Sequence, residues 1–213
     1  MNITRNILFG LIFISAFLLG LSALARYFVL DPVAGNAILI EQGLDLYDMH
    51  FKPWNYALYL HILTAAAAIL IGPFQFMRKV RNRYAGLHRN LGKVYVAAIL
   101  ISGITGIYLS FYAFGGLISK AGFLALSLSW IYTTYKAYKH IRMKNIELHR
   151  EWMYRSYAIT LVAISFRIWS AVIGYSMDDF KVGYIAAIWL GLIGNIIAAE
   201  IKIRLRRKRV TFG

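Results

Sequence analysis

The sequence predicts an all-α fold, a polytopic bundle of six transmembrane helices with the N-terminus and C-terminus both cytoplasmic. Three observations predict it. Of the 213 residues, 60% are hydrophobic and the mean hydropathy is +0.58, more apolar surface than one soluble core of this size can bury. The apolar residues gather in runs long enough to cross the hydrocarbon of a bilayer as helices. The Lys and Arg residues behind the net charge of +15 fall between those runs and at the C-terminal end. The linkers around Arg83 and Lys144 and the tail are rich in them, whereas those around Asp45, Gly115 and Asp179 are poor or acidic. That alternation is a topology signal, not a nucleic-acid footprint, and it puts both ends inside. One integral membrane domain, 1–213, is expected.

The first span covers 7–30. Ala23-Leu24-Ala25 has the small residues of a cleavage site, but the apolar stretch outruns a signal core and resumes after Arg26, so a retained helix is expected. Residues 31–53 carry Asp-Pro, Gly35 and Gly43 as breakers and read as an extracytoplasmic loop. Within it Glu41, Asp45 and Asp48 fall at helical spacing with His50 near, either a solvated face or an oxygen-ligand site for a cation.

The second span, 54–77, holds His61 about two turns from its outer end and Gly72-Pro73 near its inner end, where proline removes a hydrogen bond and predicts a kink. The third, 91–114, is thinned on one side by Gly103 and Gly106. Gly115-Gly116 predicts a tight turn into the fourth, 117–138. Its inner end reads as an interfacial belt of Trp130, Tyr132, Tyr135 and Tyr138, with Lys136 and Lys139 snorkelling. The fifth is 152–175. The sixth, 184–203, offers Gly191 and Gly194 as a packing face, and a basic cytoplasmic tail follows at 204–213.

Ionisable groups inside spans mark function more often than chance. His61 and Arg167 both fall in the outer half of the bilayer, where they either face one cavity or, separately, bond a carbonyl and snorkel. At the inner side Leu87-His88-Arg89 returns as Leu148-His149-Arg150, each just before a span. With Gln75 and Arg155 these residues either line a basic pocket for an anionic headgroup, a quinone carbonyl or a haem propionate, or simply anchor helix ends among lipid phosphates. Glu200 stands near the inner surface, one turn before Arg204, and is expected to pair with it.

The absence of cysteine excludes disulfides, iron-sulfur clusters, thiol catalysis and thioether-bound haem. No His-x-x-x-His, Gly-x-Ser-x-Gly or pair of intramembrane carboxylates is present, so no catalytic residue and no metal is assigned. An enzyme of this composition would be an oxidoreductase.

The run His61 to Gly72-Pro-Phe-Gln-Phe, then Leu87-His-Arg-x-Leu-Gly-Lys-Val-Tyr95, then His149-Arg-Glu-Trp-Met-Tyr-Arg155-Ser-Tyr-Ala, then Arg167, resembles the predicted bacterial membrane proteins of domain of unknown function 2306. The resemblance covers roughly 54–167. It implies a multi-pass protein of the bacterial cytoplasmic membrane and no established activity. It also implies that His61, Gln75, His88, Arg89, His149, Arg150, Arg155 and Arg167 are the characteristic polar positions. A looser similarity to cytochrome b561-like and ferric reductase-like proteins, where a related His motif opens a span, implies haem b; this chain lacks the deeper histidines that hold it there. Three functions are therefore expected. The first is binding or transport of an anionic lipid or small molecule at His61/Arg167 and His88/His149, with Gln75, Arg89, Arg150 and Arg155 as ligand contacts. The second is electron transfer with haem b or quinone, using His61, His88 or His149. The third is a structural or assembly subunit packed on a second copy or a partner.

Overall fold

A computed structural model describes residues 3–30 and 52–211. Glu41, Asp45, Asp48 and His50 lie outside the described residues. Every regular element among those described is a helix: α1 (Ile3–Phe28), α2 (Lys52–Phe76), α3 (Arg78–Arg83), α4 (Ala85–Ser110), α5 (Leu117–Arg142), α6 (Ile146–Thr160), α7 (Val162–Met177) and α8 (Phe180–Thr211). They form two compact units, 1–109 and 110–213. Among the described residues five stretches are long and apolar enough to cross a membrane: Phe9–Phe28, Pro53–Phe76, Ala85–Ser110, Ile146–Met177 and Phe180–Lys208.

In the first unit, α1 lies antiparallel along α2. Phe13 meets Phe74 edge to face at 5.5 Å, and Phe28 meets Tyr59 at 5.5 Å at the other end. Between them Gly20 faces Leu70, whose Cγ would stand 2.8 Å from a Cβ there. At the far end of α2, Pro73 is buried and has no N–H to return, and the helix stops three residues later at Phe76. Met77 is extended, and the chain restarts as α3, whose Val80 is buried while Arg78, Lys79 and Arg83 are exposed.

In the second unit, α5 falls short of the apolarity of the five spans, and its packing gives the reason. Thr134 and Ser156 share a hydrogen bond at 2.7 Å, and the Trp130 indole N–H donates to Thr160 Oγ1 at 2.9 Å. Thr134 and Trp130 of α5 are thus spent on α6, while Thr133 returns to its own helix. Trp130 is accordingly buried, not placed in a surface belt, while Tyr132, Tyr135 and Tyr138 are exposed. Gly115 and Gly116 turn the chain at φ +90° and +81°, a region that disfavours any side chain. The fifth predicted span is two helices joined at Leu161, with hydrogen bonds carried across it from Leu161 N–H to Tyr157 O and from Ser165 N–H to Leu161 O.

Gly183, not among the glycines expected to pack, marks a very close helix approach in this unit. A Cβ on Gly183 would sit 2.6 Å from Gly174 N and 2.7 Å from Ser170 O, so α7 and α8 touch backbone to backbone. Of the two glycines expected to pack, Gly191 faces Val162 on α7, and Gly194 has nothing within 4 Å.

Candidate functional site

The two Leu-His-Arg runs occupy the same place in two helices. α4 begins at Ala85 and α6 at Ile146, each six residues before the predicted span (91 and 152), so both runs lie in the first turns of their helices. In each case the histidine N–H bonds the carbonyl of the residue just before the helix, Tyr84 or Asn145, at 3.0 Å. The Asn145 side chain also caps α6, accepting from Leu148 N–H at 3.1 Å. The side chains then differ. His149 donates from Nδ1 to the Ala137 carbonyl of α5 at 2.9 Å, while His88 is half-buried on α4.

The charges near the two histidines are arranged in opposite ways. In the second unit the arginines are matched with carboxylates along one face of α6, where Glu147, Glu151 and Arg155 recur every four residues. Arg155 grips Glu200 of α8 with two bonds, 2.5 and 3.0 Å, and its guanidinium lies 4.5 Å over the Trp152 ring. Glu151, buried, is held by Arg207 through two bonds of 2.6 Å. Glu147 takes Arg150 at 3.2 Å and also Arg206. The expected partner of Glu200 on its own helix, Arg204, is therefore replaced by Arg155 from the helix alongside. The C-terminal tail is no loose segment either: α8 runs to Thr211.

The described part of the first unit contains no Asp or Glu at all. Arg78, Lys79, Arg81, Arg83, Arg89 and Lys93 crowd into sixteen residues with no carboxylate among the described residues of the unit, and all but Arg81 are exposed. Arg83 lies 5.9 Å over the Tyr84 ring, and Arg81 bonds Asn82 at 3.2 Å. Beside them Gln75 is buried on α2, with Gly92 of α4 next to its Oε1.

At the opposite end of α2, His61 and Ser102 are joined reciprocally. His61 Nδ1–H donates to the Ser102 carbonyl at 2.8 Å, and Ser102 Oγ donates to the His61 carbonyl at 3.2 Å. The bond selects the Nδ1–H tautomer and ties α2 to α4. Arg167, on α7, is exposed and returns to its own helix, donating to the Ala163 carbonyl at 2.7 Å. His61, Gln75, His88 and Arg89 thus belong to the first unit, and His149, Arg150, Arg155 and Arg167 to the second. Sequence spacing gave no warning of the Arg155–Glu200 and Glu151–Arg207 pairs, because each joins residues more than forty positions apart.

A family model described as predicted membrane protein (DUF2306) matches residues 58–203. The chain belongs to that family. The DUF2306 match begins within α2 and ends within α8, so it encloses all eight candidate residues and both members of the Arg155–Glu200 pair. Arg206 and Arg207, which hold Glu147 and Glu151, lie beyond it. The chain is a multi-pass membrane protein of a family without an assigned activity. Searches of the curated proteins and of the solved structures gave no match.

Proposed function

We propose that this DUF2306 protein binds an anionic lipid headgroup, or a small anion of the same chemistry, at the basic turn between α2 and α4. The observation that carries the reading is the contrast between the two His-Arg sites. Arg150 and Arg155 are already committed to carboxylates, whereas the six cations from Arg78 to Lys93 have none among the described residues of their unit, which leaves them open to an anion from outside. A cluster of this size beside a membrane-crossing helix attracts acidic lipid at about 1 kcal/mol per cation near the surface. In this reading the basic turn and both termini lie on the cytoplasmic face of a bacterial inner membrane. α5 crosses as a sixth span with Thr134 and Trp130 turned to α6.

The test removes the charge and keeps the helices. A variant carrying Arg78→Gln, Lys79→Gln, Arg81→Gln and Arg83→Gln, reconstituted in nanodiscs of mixed phosphatidylcholine and phosphatidylglycerol, is examined by native mass spectrometry. It should lose most of the phosphatidylglycerol that the wild type retains. Equal retention by both proteins would set the reading aside.

Haem b would need two imidazoles at one depth. Within the first unit His61 stands beside Ser102, fourteen residues along α4 from His88, a rise of about 21 Å, so these two do not share one iron. In the second unit His149 donates Nδ1–H to Ala137, which leaves its Nε2 as the ring nitrogen open to a ligand. The described part of the first unit thus offers no bis-histidine site, and no electron-transfer step is assigned. Protein purified from haem-replete cells should show no Soret band; a band lost on replacing His61, His88 or His149 would establish the electron-carrier reading instead.

A further inference from the structure

We propose that Gln75 is the neutral hydrogen-bond donor that reads a phosphate oxygen at this site, from the contact between α2 and Gly92 of α4. The inference rests on the anion-binding reading above and adds to it the atom that distinguishes a seated phosphate from diffuse charge attraction.

Three observations converge. Gln75 is only 6% exposed, and its Nε2 is buried with no hydrogen-bond partner among the described residues. A buried amide N–H in that state has given up water without replacement, so an acceptor is owed to it. Second, α4 presents no side chain at this point. A Cβ on Gly92 would meet Gln75 Oε1 at 3.5 Å, an ordinary contact, and nothing else within 4 Å, so α4 adds no bulk of its own beside the amide. Third, the neighbouring charges fix the kind of acceptor. Arg89 lies one turn before Gly92 on α4, Arg78 three residues after Gln75, and no carboxylate occurs in the described unit. An oxygen that satisfies the amide and these cations together is an anionic one. A phosphate supplies several such oxygens, one for the buried donor and others for the exposed guanidinium groups. Pro73 helps to place the donor: it ends α2 within a turn, which turns the chain from the buried Gln75 to the exposed Arg78 in three residues.

The source of the phosphate, lipid headgroup or free ion, is left to experiment. Thermal unfolding is measured for the wild type and Gln75→Met in nanodiscs of phosphatidylcholine alone, of phosphatidylcholine with inorganic phosphate, and of phosphatidylcholine with phosphatidylglycerol. Methionine keeps the volume and removes the donor. In phosphatidylcholine alone Gln75→Met should unfold at or above the wild-type temperature, because an unsatisfied buried N–H has gone. With phosphatidylglycerol the wild type should gain stability by linkage, and Gln75→Met should lose most of that gain, its affinity falling about tenfold or more. A wild-type gain from inorganic phosphate, also lost in Gln75→Met, identifies the free ion as the source; a gain from phosphatidylglycerol alone identifies the lipid.

A wild type that gains while Gln75→Met gains equally overturns the role of Gln75 and leaves the anion-binding reading standing. A wild type indifferent to both phosphates overturns both. Gln75→Met less stable than wild type in phosphatidylcholine alone also overturns the role, since the amide would then have a partner already. Should Gln75→Met not fold, Gly92→Ala narrows the same ground without touching Gln75, and the gain from phosphatidylglycerol should shrink; an unchanged gain counts against the site.

Discussion

Gly183→Val is expected to lower the unfolding temperature of the purified protein more than any other single change considered, or to prevent its accumulation in the membrane. The atoms that would meet a new Cβ are Gly174 N, Gly174 Cα and Ser170 O, all backbone and all within 2.7 Å. No rotamer change relieves such a clash, so α7 and α8 must separate along the interface that Gly183 sets. Overpacking in a core costs about 1–3 kcal/mol even where side chains can give way, and the rigid neighbours here place the cost at about 3 kcal/mol or above. Gly194→Ala is the control, because nothing lies within 4 Å of the added methyl. Its unfolding temperature should stay at the wild-type value. Equal effects at the two glycines would contradict the helix contact described.

Arg155→Ala should destabilise by about 2–3 kcal/mol. The substitution removes two charge-assisted bonds to Glu200 and the stack on Trp152, and it leaves a carboxylate on α8 without its partner. The figure sits below that for a fully buried pair because Glu200 is 36% exposed and water can solvate it in part. Glu200→Gln should cost less, since the amide still accepts a bond. The reversed pair, Arg155→Glu with Glu200→Arg, should recover part of the loss, and the coupling from a double-mutant cycle should exceed zero. Along α6 the order Glu147, Glu151, Arg155 faces Arg206, Arg207, Glu200, so sliding α8 by one turn would bring like charges together. The pairs thereby specify register as well as strength.

The helices and their order were legible because hydrophobic run length is a direct consequence of bilayer thickness. The glycine pair at 115–116 was legible too, since a double glycine between apolar runs has few roles besides a turn. The place of Leu-His-Arg at the start of an outgoing helix is legible as well, and the Tyr84 and Asn145 carbonyls accept the backbone bonds there. The length of α8 is not legible, since its basic end reads as a cytoplasmic tail until Glu147 and Glu151 are seen beside it. Composition does not say which neighbour a threonine of α5 faces, and the close approach at Gly183 is not legible because its partner, Gly174, lies on the preceding helix. Of the candidate site, its residue types were legible, but the difference between a compensated and an uncompensated cluster depends on contacts made through folding.

That difference is the central claim, and salt-dependent lipid selection measures it most directly. The wild type in nanodiscs of mixed phosphatidylcholine and phosphatidylglycerol is compared with two charge-removed variants across a salt series. One is neutralised at α3 (Arg78→Gln, Lys79→Gln, Arg81→Gln, Arg83→Gln) and the other at the exposed cations of α8 (Lys202→Gln, Arg204→Gln, Lys208→Gln). The account predicts that the wild type and the α8 variant select phosphatidylglycerol, less strongly as salt rises, and that the α3 variant does not. Selection that survives in the α3 variant, or that is lost equally in both variants, would contradict it.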